Sequence, residues 1–263
     1  MPPAKPRTPR KPKLVPPPAP ASEHPIHPFD TAYGVDTSGL IPQRELLIGH
    51  PNDEHITAYY GVAPSILDTL IDLWQLLKPA PLYPLERYTF VDFGAGKGRA
   101  MLAASLQPFK AVIGVEMNPA LADIAEANLE IFPLHAAPLA PARVVQIDAL
   151  EFDLPKGPVL AFMFHPFEAP VLRRLLRRVE HAFHDRAGEF DLLYVNSEHA
   201  PVLDHNPAFT QLFFGKVAMS TEDHIADLAA IAAQKEYGST GDEECAVYRF
   251  TGRKPIEANP NLG

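Results

Sequence analysis

The most informative part of the sequence is the stretch Tyr88-Thr89-Phe90-Val91-Asp92-Phe93-Gly94-Ala95-Gly96-Lys97-Gly98-Arg99. Its first five residues are rich in β-branched and aromatic side chains, which favour a β-strand. The glycines that follow permit a tight turn and let a ligand approach the backbone closely. A helix predicted over 98–107 would then present N–H donors to a carboxylate or phosphate. The stretch therefore predicts a strand, a ligand-binding turn and a helix in succession.

The spacing of the glycines excludes two other nucleotide-binding turns. A dinucleotide fingerprint requires G-x-G-x-x-G, whereas the glycines here lie at positions 94, 96 and 98. A Walker loop requires a glycine where Val91 stands, and a serine or threonine where Gly98 stands. Neither alternative fits this turn.

Strand and helix patterns alternate along the chain on both sides of this turn. Pro64 and Ser65 begin a helix predicted over 64–78, and Asn118 with Pro119 supplies the N-cap and first residue of another helix. Other predicted elements are strands at 111–116, 144–147, 159–164 and 192–195, a helix at 171–179, and a closing antiparallel pair at 211–218 and 246–251. The alternation predicts an α/β fold with a doubly wound, mostly parallel sheet.

The chain divides into four predicted regions. Residues 1–25 form a Pro-rich and Lys/Arg-rich tail, whose composition predicts disorder. Residues 26–80 form a loop and helical extension, residues 81–255 the main domain, and residues 256–263 a C-terminal tail.

The charge of the chain is unevenly distributed. Five of its 23 basic residues lie within the first 13 positions, so the remainder has 18 basic against 32 acidic residues and a net charge of -14. Such a surface repels phosphate backbones, which makes nucleic acid an unfavourable partner of the domain.

The sequence argues against a membrane, disulfide or metal protein. Its apolar runs are shorter than the roughly 20 residues that span a bilayer, and we therefore expect a cytoplasmic protein without a membrane partner. The single cysteine, Cys245, excludes an internal disulfide and is predicted to be a buried strand residue. The histidines show no metal-ligand spacing, so we expect no metal.

Polar residues at strand ends are the candidate ligand contacts, because an open α/β sheet binds its ligand at the carboxyl ends of the strands. Glu116 ends the second strand, 24 residues after Asp92. A carboxylate there can accept hydrogen bonds from both ribose hydroxyls of a nucleoside cofactor. Because NAD enzymes place an acidic residue similarly, Glu116 indicates a nucleoside without specifying which one.

Residues 88–196 resemble the class I methyltransferases, which have a seven-strand, Rossmann-like fold and use S-adenosyl-L-methionine. The resemblance implies that the glycine turn holds the amino-acid end of this cofactor, the end of the second strand its ribose, and the third-strand turn its adenine amino group. The residues that match these three stations are Asp92, Gly94, Ala95, Gly96 and Gly98; Glu116 and Met117; and Asp148 and Ala149.

The fourth matching station is Phe164-His165-Pro166-Phe167, where many amino-methylating members carry Asn or Asp, two prolines and an aromatic residue. The resemblance implies that Phe164, Pro166 and Phe167 contact the acceptor. His165 departs from the pattern, and a neutral imidazole there can act as a base. The turn residues also look like a bacterial branch of unassigned substrate and, more distantly, like seven-strand lysine methyltransferases. The acceptor is therefore expected to be a nitrogen on a protein or small molecule.

Two other functions remain open at this point. An NAD(P)-dependent oxidoreductase would share the fold and Glu116, and a cofactor-binding protein without catalysis would keep the fold alone. Lys97 and Arg99 are predicted to be solvated at the start of their helix. The outer face of the helix at 171–179 is predicted to carry Arg173, Arg174, Arg177 and Arg178. The extension at 26–64 is expected to cover the cofactor or acceptor, as in other members of the class.

Overall fold

The computed structural model describes residues 24–234 and 242–252, which form one seven-stranded sheet with helices on both faces. The strands are β1 (Thr89–Phe93), β2 (Ala111–Glu116), β3 (Ala142–Gln146), β4 (Val159–Phe164), β5 (Phe190–Val195), β6 (Phe209–Ala218) and β7 (Asp242–Phe250). The helices are α1 (Pro28–Tyr33), α2 (Pro64–Leu76), α3 (Arg99–Ser105), α4 (Pro119–Ile131), α5 (Ala169–Ala182), α6 (Ala200–Asp204) and α7 (Thr221–Ala232). Apart from positions 24 and 25, the predicted tails lie outside the described residues.

The strand order is β3-β2-β1-β4-β5-β7-β6, and β7 is antiparallel to both of its neighbours. The chain builds outward from β1 to β3 and then returns to place β4 beside β1, so strand order reverses between β1 and β4. The predicted doubly wound, mostly parallel sheet is confirmed, as is the closing antiparallel pair. A reversal of this kind opens a crevice at the carboxyl ends of the strands.

The central strands are continuous hydrophobic runs because helices cover both of their faces. All residues of β1 and β5 are buried, and so is Cys245 on β7, as predicted. Helix α5 packs through its apolar stripe and exposes Arg173, Arg174 and Arg177, as predicted for its outer face. The prediction is wrong for Arg178, which is half-buried because it donates to the Phe152 carbonyl at 2.9 Å.

Buried polar contacts connect helix α2 to strands β5 and β7. The indole Nε1 of Trp74 donates to Asp191 Oδ2 at 2.7 Å, and Asp191 Oδ1 also accepts from Arg249 Nε at 2.7 Å. This network links α2 to β5 and β7.

Helix α4 begins as predicted, with Asn118 as its N-cap. The Asn118 side-chain oxygen accepts from the backbone N–H groups of Ala120 and Leu121 at 2.9 and 3.2 Å, and its amide donates to the Leu46 carbonyl at 3.0 Å. The cap therefore joins the main domain to the extension.

Replacing Asn118 by alanine is expected to lower the free energy of unfolding by about 1 kcal/mol, because two helix N–H groups lose their acceptor. Asn118→Ser keeps an acceptor oxygen and should recover most of that loss. Urea denaturation of both variants measures the difference. Equal destabilisation by the two substitutions would contradict capping as the cause.

Candidate functional site

A cavity lies at the carboxyl edge of the sheet, where the strand order reverses. The lining includes all but two of the residues predicted to form the site: Asp92, Gly94, Ala95, Gly96, Glu116, Met117, Asp148, Ala149, Phe164, Pro166 and Phe167. Gly98 and His165 are absent from the lining within the described part of the chain.

The glycine turn after β1 needs glycine for two reasons. Gly94, Gly96 and Gly98 have φ values of 76°, 55° and 91°, a left-handed conformation that side chains disfavour. A Cβ atom at Gly94 would also overlap Pro166, and one at Gly96 would overlap the ring of Tyr59. The turn is thus closely covered by the fourth-strand turn and by the extension.

Two buried carboxyl groups, Asp92 and Glu116, lie beside this turn. Glu116 accepts hydrogen bonds from the N–H groups of Gly96, at 2.7 Å, and Asn118, at 2.8 Å. Burial raises its pKa, and these N–H groups oppose the rise. Burial, together with the nearby Glu116, raises the pKa of Asp92 to about 8. A cationic ligand would favour the ionised form of Asp92, and its binding should therefore release a proton.

The third-strand turn is contacted by the extension. Asp148 accepts from the Leu150 N–H at 2.8 Å through Oδ1 and from the Asn52 amide at 2.6 Å through Oδ2. Asn52 in turn accepts from Arg174 at 3.1 Å. A loop nearly a hundred residues earlier in the chain therefore orients the carboxylate at the end of β3.

The fourth-strand turn directs its aromatic residues and its proline into the cavity but not its histidine. His165 has a φ of 42°, a left-handed value that is uncommon outside glycine. Its Nδ1 lies 3.3 Å from the Tyr194 hydroxyl and its Nε2 lies 3.6 Å from Glu198. Burial is the main cause that lowers the pKa of His165. Its ring is therefore neutral at neutral pH and lies behind the turn.

Residues 55–57 of the extension run alongside this turn as a short strap. Ile56 forms an antiparallel bridge with Phe167, and the Thr57 hydroxyl donates to the His165 carbonyl at 2.6 Å. The Thr57 N–H donates to the Pro166 carbonyl at 3.3 Å. The backbone acceptors of the fourth-strand turn are thus held by the extension.

The architecture around this cavity is known from other proteins. The fold is the seven-stranded Rossmann-like fold of class I methyltransferases. No family model and no curated protein matches the chain.

Three solved structures illustrate the similarity. Magnesium protoporphyrin IX methyltransferase from Synechocystis PCC 6803, with bound SAM, is 10% identical and aligns 71% of this chain with 79% of its own, at a TM-score of 0.45. An RNA methyltransferase from Salinibacter ruber in complex with S-adenosyl-L-homocysteine is 16% identical and aligns 73% of this chain with 92% of its own, at a TM-score of 0.40. A ribosomal protein methylase from Lactobacillus delbrueckii subsp. bulgaricus is 13% identical and aligns 70% of this chain with 77% of its own, at a TM-score of 0.42. Since these values are low, the fold assignment rests on the strand order of this chain.

The prediction that Lys97 and Arg99 are solvated is wrong, because both are 5% exposed. Lys97 Nζ donates to the Asp36 carboxylate and to the Ser38 carbonyl, each at 2.8 Å. Arg99 donates to the Thr37 hydroxyl at 2.7 Å and to the Thr37 carbonyl at 2.9 Å. The extension folds over the start of α3 and supplies acceptors to both cations, which a local reading of the helix could not include.

Several lining residues were not identified from the sequence. They include Leu46, Asn52 and Ile56 from the extension, and Arg99 and Leu121 from helices α3 and α4. The signal available for the extension was its density of turn residues and aromatics, which indicated an ordered segment but not its contacts.

Within residues 24–234 and 242–252, no helix combines the length and apolar character that crossing a bilayer requires. The same ranges contain no group of three His, Cys, Asp or Glu side chains placed to hold a metal ion.

Proposed function

We propose that this chain is an S-adenosyl-L-methionine-dependent methyltransferase that transfers a methyl group to a nitrogen acceptor. The observation that carries the proposal is the placement of two carboxylates at the ends of adjacent strands. Glu116 pairs with Gln146 across β2 and β3, and Asp148 follows two residues later. Both line the cavity that contains the glycine turn.

The donor and acceptor groups of the cavity fit this cofactor. Each Glu116 oxygen accepts one backbone N–H, and an ionised carboxylate has about four acceptor sites. Two sites therefore remain for the ribose hydroxyls. Asp148 is an acceptor for the adenine amino group, and Met117 and Ile147 supply apolar surface for the flat base.

The main contribution of the protein is alignment. When bound, the sulfonium cofactor supplies a methyl group to a nucleophile placed in line with its sulfur. Phe164, Pro166 and Phe167 shape the wall on the acceptor side, and such positioning alone can contribute several kcal/mol to rate enhancement. We retain His165 as the proposed base for the nitrogen proton. This role requires its ring to rotate toward the cavity.

The acceptor is proposed to be an amine on a protein or small molecule. The net charge of -14 beyond the first 13 residues disfavours a long polyanion and favours cationic targets. An NAD(P)-dependent oxidoreductase would require neither Asp148 nor an aromatic and proline turn after β4.

The proposed function is tested by incubating the protein with methyl-labelled S-adenosyl-L-methionine and cell extract. Label should appear in the protein or small-molecule fraction, on nitrogen. Methylation of oxygen or carbon would contradict the acceptor class while leaving the methyltransferase assignment intact. Energy transfer from protein to added NADH would instead support the oxidoreductase.

Replacing His165 by alanine is expected to lower turnover about tenfold, less than a base already in contact with substrate usually provides. Cofactor affinity should change less than about twofold, because the ring does not line the cavity. Labelled methyl transfer and calorimetry measure the two effects, with the exposed His181 as the control position. A parallel loss of cofactor affinity would indicate a structural role for the histidine.

A further inference from the structure

The cavity has a polar contact to α7 that the cofactor stations do not explain. Tyr60 lines the cavity, and its hydroxyl donates to Asp227 Oδ1 at 2.7 Å. Burial and this hydrogen bond raise the pKa of Tyr60, so the phenol stays protonated. A phenol that donates to a carboxylate can still accept a hydrogen bond at its oxygen.

Asp227 is a buried carboxylate in which only one of the two oxygens accepts a hydrogen bond. It is 4% exposed, and its Oδ2 atom has no hydrogen-bond partner in the described chain. Helix α7 buries Asp223 and Asp227 while it exposes Ile225 and Leu228. This is the reverse of ordinary amphipathic packing. Burying a carboxylate without a full set of partners is unfavourable, and such a group in a native structure calls for an explanation.

The nearby basic groups do not form an ion pair with Asp227. His27 lies 3.5 Å from Asp223, and burial, together with the charge of Arg99, lowers the pKa of His27 to about 4, so it is neutral at neutral pH. The Arg99 guanidinium is engaged by Thr37 and by the Gly61 carbonyl. These acceptors are neutral, so the positive charge of Arg99, which also lines the cavity, remains. The two carboxylates Asp223 and Asp227 on the inner face of α7 outnumber this one cation and leave a net negative charge behind the cavity wall.

The position of α7 places this charge on the acceptor side. Strand β6 is antiparallel to β7, which is itself antiparallel to β5, so β6 runs in the same direction as β5 and β4. Helix α7 follows β6 directly and thus starts at the edge where β4 ends in Phe164. The cofactor carboxylates lie at the ends of β2 and β3, on the other side of β1.

We propose that Tyr60 and Asp227 recognise a cationic primary amine as the methyl acceptor, an inference that rests on the proposed function. The Tyr60 oxygen accepts a hydrogen bond from the ammonium group. Asp227 acts through Tyr60 as a positioning residue and supplies the opposite charge. The substrate class is then a lysine side chain or an alkylamine of similar shape.

The test uses n-butylamine, which is protonated at neutral pH, and 1-butanol, which has a similar shape and no charge. Both are titrated by saturation-transfer NMR into the full-length protein saturated with S-adenosyl-L-homocysteine. We expect the wild-type protein to bind the amine at least about tenfold more tightly than the alcohol, the scale of one hydrogen bond to a charged group.

Two variants identify the residues responsible. Asp227→Asn and Tyr60→Phe should each remove most of the preference for the amine. Asp227 is not among the residues that line the cavity, so Asp227→Asn should also leave the binding of S-adenosyl-L-homocysteine unchanged. Glu222→Gln, on the exposed face of the same helix, removes one charge and should retain the preference.

The possible failures are distinguishable. Equal affinity of the wild-type protein for amine and alcohol overturns the inference without any variant, and so does a loss of preference in Glu222→Gln as large as in Asp227→Asn. A protein that binds no S-adenosyl-L-homocysteine overturns the proposed function instead.

Discussion

Alanine at position 116 should weaken S-adenosyl-L-homocysteine binding by about 100- to 1000-fold. The loss corresponds to two charge-assisted hydrogen bonds to the ribose, each of which contributes about 1.5–3 kcal/mol. Water that enters the site of the missing carboxylate recovers only part of this binding energy. The fold should persist, because the N–H groups of Gly96 and Asn118 can donate to water molecules that enter the cavity in place of the Glu116 carboxylate. Isothermal titration calorimetry measures the affinity, and thermal unfolding checks the fold.

Two companion variants sharpen the measurement for Glu116. Glu116→Gln keeps the shape and removes the charge, so we expect an intermediate loss of affinity. Glu126→Ala removes a carboxylate from the exposed face of α4 and should bind like the wild-type protein. An unchanged affinity in Glu116→Ala would refute the ribose assignment.

Deletion of residues 1–60 should abolish cofactor binding and methyl transfer, whereas deletion of residues 1–22 should leave both unchanged. The longer deletion removes the acceptors of Lys97 and Arg99, which lie beside the glycine turn. It also removes the apolar core residues Phe29, Val35 and Leu46, so the apolar surface that they cover would face water, and a domain has only about 5–15 kcal/mol of stability. The shorter deletion removes only residues outside the described part of the chain.

The two truncations are compared by circular dichroism melting and by calorimetry with S-adenosyl-L-homocysteine. A chain that retains residues 23–60 but carries Lys97→Met loses the contacts of this cation with Asp36 and Ser38 without a change to any residue that lines the cavity. It should bind the cofactor more weakly than the shorter truncation while keeping its secondary structure. Equal affinity of the two truncations would remove any functional role for the extension.

The sheet and the cofactor stations could be predicted because they depend on local patterns. Strands such as β1 and β4 are apolar runs that end in polar or small residues, and parallel strands bring those ends to one edge. The contacts of the extension could not be predicted in this way. Asn52 and Asp148 are separated by 96 positions, and Tyr60 and Asp227 by 167. No periodicity connects such pairs.

Some structural features were not predicted from the sequence, each for a specific physical reason. Helix α7 was not predicted because its buried face carries Asp223 and Asp227, which a search for apolar periodicity passes over. Helices α1 and α6 have six and five residues, too few for a periodic pattern. The orientation of His165 depends on its left-handed backbone, which residue types alone do not reveal.

The buried cations beside the glycine turn also constrain how the chain assembles during synthesis. Arg99 bonds to a residue 62 positions earlier, and Asn128 to one 92 positions earlier. The extension therefore leaves the ribosome well before its partners exist, with apolar residues such as Phe29 still uncovered. Contacts of such sequence separation slow folding, and nascent segments that wait for distant partners are prone to aggregation. Chaperones that act on the chain during expression should therefore bind the extension rather than the strands of the sheet.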